Sequence, residues 1–143
     1  MRQILVATDG SAGSDRAIDA AAQLAKSLGA RLLILTVQDR LSRDTVEAFK
    51  TVEHVGEGDV AETAAHGILF RAQERAARAG PTDVQLQAES GDPTEAILKV
   101  SKQRNADAIV VGKRGRGHLA GLLLGSVSQK LVTLAPCNVM VVP

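Results

Sequence analysis

Residues 4–7 form a continuous apolar run, Ile4, Leu5, Val6 and Ala7, that stops at the turn formers Thr8, Asp9, Gly10 and Ser11. That pattern predicts a buried strand opening into a loop. Ile18, Ala21, Ala22, Ala25 and Leu28 then recur at helical spacing, and Gly29 is suited to close the helix. A second unbroken apolar run, 32–37, reads as a strand covered on both faces and completes a β-α-β unit. Residues 39–56 mix Asp39, Arg40, Arg43, Asp44, Glu47, Lys50 and Glu53 with scattered apolar positions, which reads as a loop with room for a short helix. Ala61, Ala65, Ile68, Leu69, Ala72 and Ala76 trace one stripe of a second helix, ended by Gly80 and Pro81. Val84, Leu86 and Ala88 alternate with polar residues, as in a half-exposed strand near a sheet edge.

The breaker Gly91, Asp92, Pro93 predicts a third helix, with Pro93 in its first turn, Asp92 as N-cap, and Ile97 and Val100 facing inward. Residues 108–111 make a fourth buried strand. A fourth helix starts near Gly125 and Ser126, with Val127, Leu131 and Leu134 at helical spacing, and residues 139–142 make a fifth strand. Strands alternating with helices imply right-handed crossovers. The expected fold is α/β: a Rossmann-like open sheet of five mostly parallel strands with helices on both faces, in one domain spanning 1–143.

Composition narrows the functions. A chain of 143 residues with 45% hydrophobic and 23% charged residues is an ordinary globular domain. Its 17 Lys and Arg against 16 Asp and Glu leave a net charge of +1, and its two aromatics, Phe49 and Phe70, offer no stacking platform. Nucleic acid is therefore not an expected partner. The single Cys137 cannot form an intramolecular disulfide and reads as a small core hydrophobe. No apolar run approaches a signal peptide or a membrane span, so the expected location is cytoplasmic, with no membrane partner.

Open parallel sheets bind ligands beyond the carboxyl ends of their strands. The loop after the fourth strand reads Gly112, Lys113, Arg114, Gly115, Arg116, Gly117, His118, and continues through a leucine-rich packing segment to Gly125 and Ser126. Glycines at 112 and 115 can take positive φ and let the backbone approach an anion closely. Gly125 and Ser126 open a helix, whose unpaired N–H groups and positive dipole end attract phosphate. Residues 99–143 hold seven Lys or Arg against one acid, Asp107, an asymmetry hidden by the near-neutral total. Each element also has a plainer reading: Lys113, Arg114 and Arg116 as a solvated face, and Asp9, Ser11 or Ser14 as helix caps. The pattern is neither a Walker A loop nor the dinucleotide fingerprint, and no Gly-x-Ser-x-Gly elbow occurs. His54, His66 and His118 lack metal-ligand spacing.

With those residues in view, the chain resembles the universal stress protein family over nearly its whole length. The resemblance is carried by residues 4–11, by Gly91, Asp92 and Pro93 with Ile97, and above all by the spacing Gly112, Gly115, Gly125, Ser126, which marks the family's ATP-binding branch. It implies that Ala7 and Thr8 line the crevice, that Asp9 faces ribose or phosphates, and that Val37 meets adenine through its backbone. It further implies that Gly112, Lys113, Arg114, Gly115, Arg116 and Gly117 hold ribose and phosphate, while Gly125, Ser126, Val127 and Ser128 bind the terminal phosphates. Mg2+ would arrive with ATP, and cyclic AMP is an open alternative. The family commonly dimerises by pairing its last strands, here residues 139–142. The expected function is a nucleotide-dependent regulatory or stress-response module with an unidentified protein partner and at most slow hydrolysis. The alternatives are a nucleotidyl or phosphoryl transfer enzyme and a structural dimer that binds no nucleotide.

Overall fold

The structure, a computed structural model, describes residues 1–38, 57–81, 83–114 and 124–143. The element order is β1 (Gln3–Ala7), α1 (Ala12–Leu28), β2 (Arg31–Gln38), α2 (Glu57–Ala77), β3 (Val84–Ser90), α3 (Pro93–Gln103), β4 (Ala108–Gly112), α4 (Ser126–Leu134) and β5 (Asn138–Val142). The sheet order is β3-β2-β1-β4-β5 and all four ladders are parallel, so the expected "mostly parallel" sheet is wholly parallel among the described residues. The expected loop at 39–56 and the leucine-rich segment at 119–123 lie outside the described residues.

The unbroken apolar runs follow from burial on both faces of the sheet. Ile4, Val6, Leu32, Ile34 and Val110 point to a core shared with α1 and α2, through Ala17, Ile18, Ala21 and Leu69. Their strand neighbours Leu5, Leu33, Leu35, Ile109 and Val111 point the other way, to Ile97 and Val100 of α3 and Leu131 of α4. Successive side chains of a strand alternate faces, so a central strand covered on both sides is apolar at every position.

Two expectations are corrected. Leu28 and Leu134, placed on inward stripes by spacing, are 48% and 59% exposed. Each is the last residue of its helix, and beyond α4 it is Ala135 and Cys137 that pack against the core. β3 lies at the sheet edge and is half-exposed, as expected, with Leu86 and Ala88 exposed and Gln85, Gln87 and Glu89 half-buried. The polar face is held by α3 and its C-terminal end: Arg104 donates to Gln85 and Gln87, and Lys99 pairs with Glu89.

The chain runs outward from β1 to β2 and β3, then returns to place β4 on the other side of β1, in register Ile4↔Ala108, Leu5↔Ile109, Val6↔Val110. The connection leaving β1 packs on one face of the sheet and the helix following β4 on the other. This is a topological switch point, where diverging loops leave a crevice.

Candidate functional site

One wall of the crevice is the turn after β1. Thr8 donates its N–H to Leu35 O at 2.9 Å and receives the Thr36 hydroxyl on its own carbonyl at 2.8 Å, which fixes its backbone from β2. Thr8 Oγ1 accepts from Gly10 N and lies 3.0 Å from Ser14 Oγ. Gly10 sits at φ 82°, in the left-handed region where a Cβ is strained. Asp9 Oδ1 accepts the Ser11 N–H at 2.9 Å, while Ser11 is the N-cap of α1 through its contact to Ser14 N. The cap is therefore Ser11, and Asp9 braces the turn that presents it.

The other wall is built from the end of β4 and the start of α4. Gly112 does not take the positive φ expected of it; among the described glycines those angles occur at Gly10, Gly29, Gly80 and Gly91. The requirement at Gly112 is close approach: an added Cβ would lie 2.8 Å from the carbonyl carbon and oxygen of Gly13. Gly125 is also constrained by space, since a Cβ there would sit 3.3 Å from Arg114 Cα and from Lys113 O. Gly125 N donates to Lys113 O at 2.8 Å, and Lys113 N donates to Val142 O at 2.7 Å, tying the strand's exit to β5. Ser128, 3% exposed, donates its hydroxyl to Gly112 O at 2.7 Å, with Lys113 O 3.2 Å away.

The helix starts differ in a way that bears on ligands. Ser11 caps α1, and Asp92 caps α3 by accepting from Glu95 N, as expected from the sequence. At α4 the cap is Gly125, with no side-chain hydrogen bond to the first turn. Among the described residues, no cap side chain accepts from the N–H groups of the first turn, Ser126, Val127 and Ser128.

The structure brings Asp9's turn, Gly112, Lys113, Arg114 and the stretch from Gly125 to Ser128 to the switch between β1 and β4. Ala7 ends β1 there, half-buried, and Val37 lies near the end of β2, on the far side of β1 from β4. Gly115, Arg116 and Gly117 fall outside the described residues. The residue that sequence reasoning missed is Gly13, whose contact with Arg114 joins chain segments far apart in sequence. A glycine in the first turn of an amphipathic helix was its only signal.

A cavity of about 250 Å³ abuts the same turn, between Thr8, Gly10 and Asp15 on one side and Ile68, Ala72 and Arg75 of α2 on the other. Arg75 is already neutralised there: it makes two 2.8 Å hydrogen bonds to Asp19 and lies 3.7 Å from Asp15, and these bonds raise its pKa. Among the described residues no group of three His, Cys, Asp or Glu is placed to hold a metal, and no helix is long and apolar enough to cross a membrane.

A five-stranded sheet, wholly parallel among the described residues, with glycines closely packed at its switch point defines a class of small α/β domains. Within that class the chain belongs to the universal stress protein family, whose family model matches residues 1–143. It is 37% identical to universal stress protein YxiE of Bacillus subtilis over 146 aligned positions, covering 98% of this chain and 97% of that one. Among solved structures it is similar to a universal stress protein in complex with cAMP, at 33% identity and TM-score 0.76, covering 99% and 97% of the two chains. It is likewise similar to universal stress protein UspA from Lactobacillus plantarum, at 26% identity and TM-score 0.81, with 99% and 97% covered.

Proposed function

We propose that this chain binds ATP, with Mg2+, in the crevice between the β1 turn and the β4–α4 connection, and acts as a cytoplasmic, nucleotide-responsive regulatory module. The observation that carries this reading is the start of α4. Its glycine cap leaves first-turn donors without a side-chain acceptor, directly behind a strand exit whose carbonyl oxygens are engaged by protein. That is the electrostatic arrangement an anionic phosphate chain requires. The spacing Gly112, Gly115, Gly125, Ser126 supports the same assignment.

In this reading Ala7, Thr8 and Asp9 line the nucleoside side, with Val37 beside the base. Gly112, Lys113, Arg114, Gly115, Arg116 and Gly117 follow ribose and phosphates, and the N–H groups from Gly125 to Ser128 receive the terminal phosphates. Mg2+ bound with the nucleotide would neutralise phosphate charge, its ligands coming mainly from phosphate and water oxygens rather than from this chain's carboxylates. Phosphoryl transfer needs a positioned base and a cation free to meet the developing charge. Arg75, which lines the neighbouring cavity, is held by Asp19 and Asp15 and is not free for that role.

Cyclic AMP is the second reading, favoured by the cAMP complex of a relative at 33% identity. Calorimetric titration with Mg-ATP, AMP and cyclic AMP separates the two, since the chain has no Trp or Tyr to serve as an optical reporter. ATP binding tighter than both comparators supports the polyphosphate site; preference for cyclic AMP replaces it, and no binding overturns both. Turnover under excess nucleotide would reveal a transferase. The same proposal includes a homodimer paired through residues 139–142, supported by the apolar edge strand β5.

A further inference from the structure

We propose that Gly13, in the first turn of α1, is a positioning residue that sets the phosphate loop from outside it. This inference rests on the nucleotide-binding reading and deepens it. Glycine is costly in a helix, and at position 13 no local turn requires it: Gly13 follows the Ser11 cap and belongs to α1. The reason for it lies across the crevice, where a Cβ on residue 13 would stand 2.6 Å from the carbonyl oxygen of Arg114. That atom is backbone, so relief requires moving either the loop or the helix. The contact is reciprocal, because a Cβ on Gly112 would meet the Gly13 backbone at 2.8 Å.

The consequence is electrostatic. Three successive carbonyls lie at the exit of β4; two accept hydrogen bonds and the third faces the α1 backbone. Gly112 O accepts from Ser128, Lys113 O accepts from Gly125 N, and Arg114 O is pressed against Gly13. A carbonyl oxygen turned into the crevice would repel a phosphate oxygen in a region of reduced dielectric. Gly13 thus acts on the ligand without touching it: by being small, it lets Arg114 turn its oxygen into the α1 backbone.

The test compares Gly13→Ala with Gly67→Ala. Gly67 lies inside α2, where, among the described residues, an added Cβ would find only Arg71 Nη1 at an ordinary 3.7 Å. Both variants gain helix propensity, so any difference between them reports the Arg114 contact. In Gly13→Ala, ATP affinity should fall about tenfold, the equivalent of one misplaced charge-assisted hydrogen bond, with a smaller loss for AMP. Amide exchange at Lys113 and Gly125 should quicken in the free protein, because their hydrogen bonds hold the displaced segment. Gly67→Ala should leave both readouts at wild-type values. Ser128→Ala, which loosens the same carbonyls from the other side, should reproduce the ATP-selective loss if Gly13→Ala does not fold. Wild-type ATP affinity in Gly13→Ala, or in Ser128→Ala where that variant stands in for it, overturns the inference. If the wild-type chain binds no nucleotide, the functional reading fails by itself, and amide exchange still decides: unchanged exchange at Lys113 and Gly125 overturns the positioning role.

Discussion

At the residue scale, Gly112 shows how a motif residue can be found for one reason and needed for another. Its spacing to Gly125 marks the loop, yet its backbone is unexceptional, and what it provides is room for the Gly13 carbonyl. Gly112→Ala should therefore cost about 1–3 kcal/mol in urea unfolding, the range for overpacking against atoms that cannot rotate away. A cost below a few tenths of a kcal/mol would mean that β4 and α1 separate freely. Asp107 supplies a pH signature at the opposite end of the sheet. Its carboxylate accepts the N–H groups of Arg2 and Gln3 at 2.7 and 3.0 Å, and these bonds lower its pKa below the ordinary carboxylate range. A lowered folded-state pKa stabilises the fold above the unfolded value of about 4, and the stabilisation is lost as pH falls through the folded value. Asp107→Asn should be less stable than wild type at neutral pH, and the two should converge in acid. A constant difference across that titration would refute the assignment.

At the element scale, the strands were legible because burial on two faces leaves a mark at every position of residues 4–7, 32–37 and 108–111. Helix caps were legible for a similar reason, since a cap is a local device: Asp92 was identified beside Pro93 and is found accepting Glu95 N. Asp92→Ala should lower the thermal midpoint through the loss of about 1 kcal/mol. An unchanged midpoint would show that Pro93 alone starts α3. What failed were positions decided by distant chain. Leu28 and Leu134 keep the helical period but end their helices and stand exposed, whereas β3 is the half-exposed edge strand expected, its Gln85, Gln87 and Glu89 meeting Arg104 and Lys99. The site divides along the same line. The glycine spacing and the helix start could be read locally, whereas the Gly13–Arg114 contact and the engagement of Ser128 with Gly112 arise only when the sheet assembles.

At the scale of the whole molecule, the two sheet edges differ in chemistry, and this difference bears on assembly. One edge, β3, carries Gln85, Gln87, Glu89 and Ser90, with cross-links to α3. The other, β5, reads Asn138, Val139, Met140, Val141, Val142, and Met140 remains 40% exposed on it. An apolar edge without charges invites pairing, and a second copy related by a two-fold axis would satisfy its open backbone groups. The same strand is tied to the phosphate loop, through Lys113 N to Val142 O at 2.7 Å, and to α1, through Arg16 Nε to Pro143 O at 2.8 Å. The strand proposed to pair is thus the one whose end anchors the exit of β4 and the start of α1. Met140→Asp should place a charge in the proposed interface and convert a sedimenting dimer to a monomer at micromolar concentration. Because Met140 is partly exposed and belongs to neither core cluster, the monomer should keep its fold by circular dichroism. A wild-type chain that sediments as a monomer, or a Met140→Asp dimer of unchanged affinity, would exclude pairing through this edge.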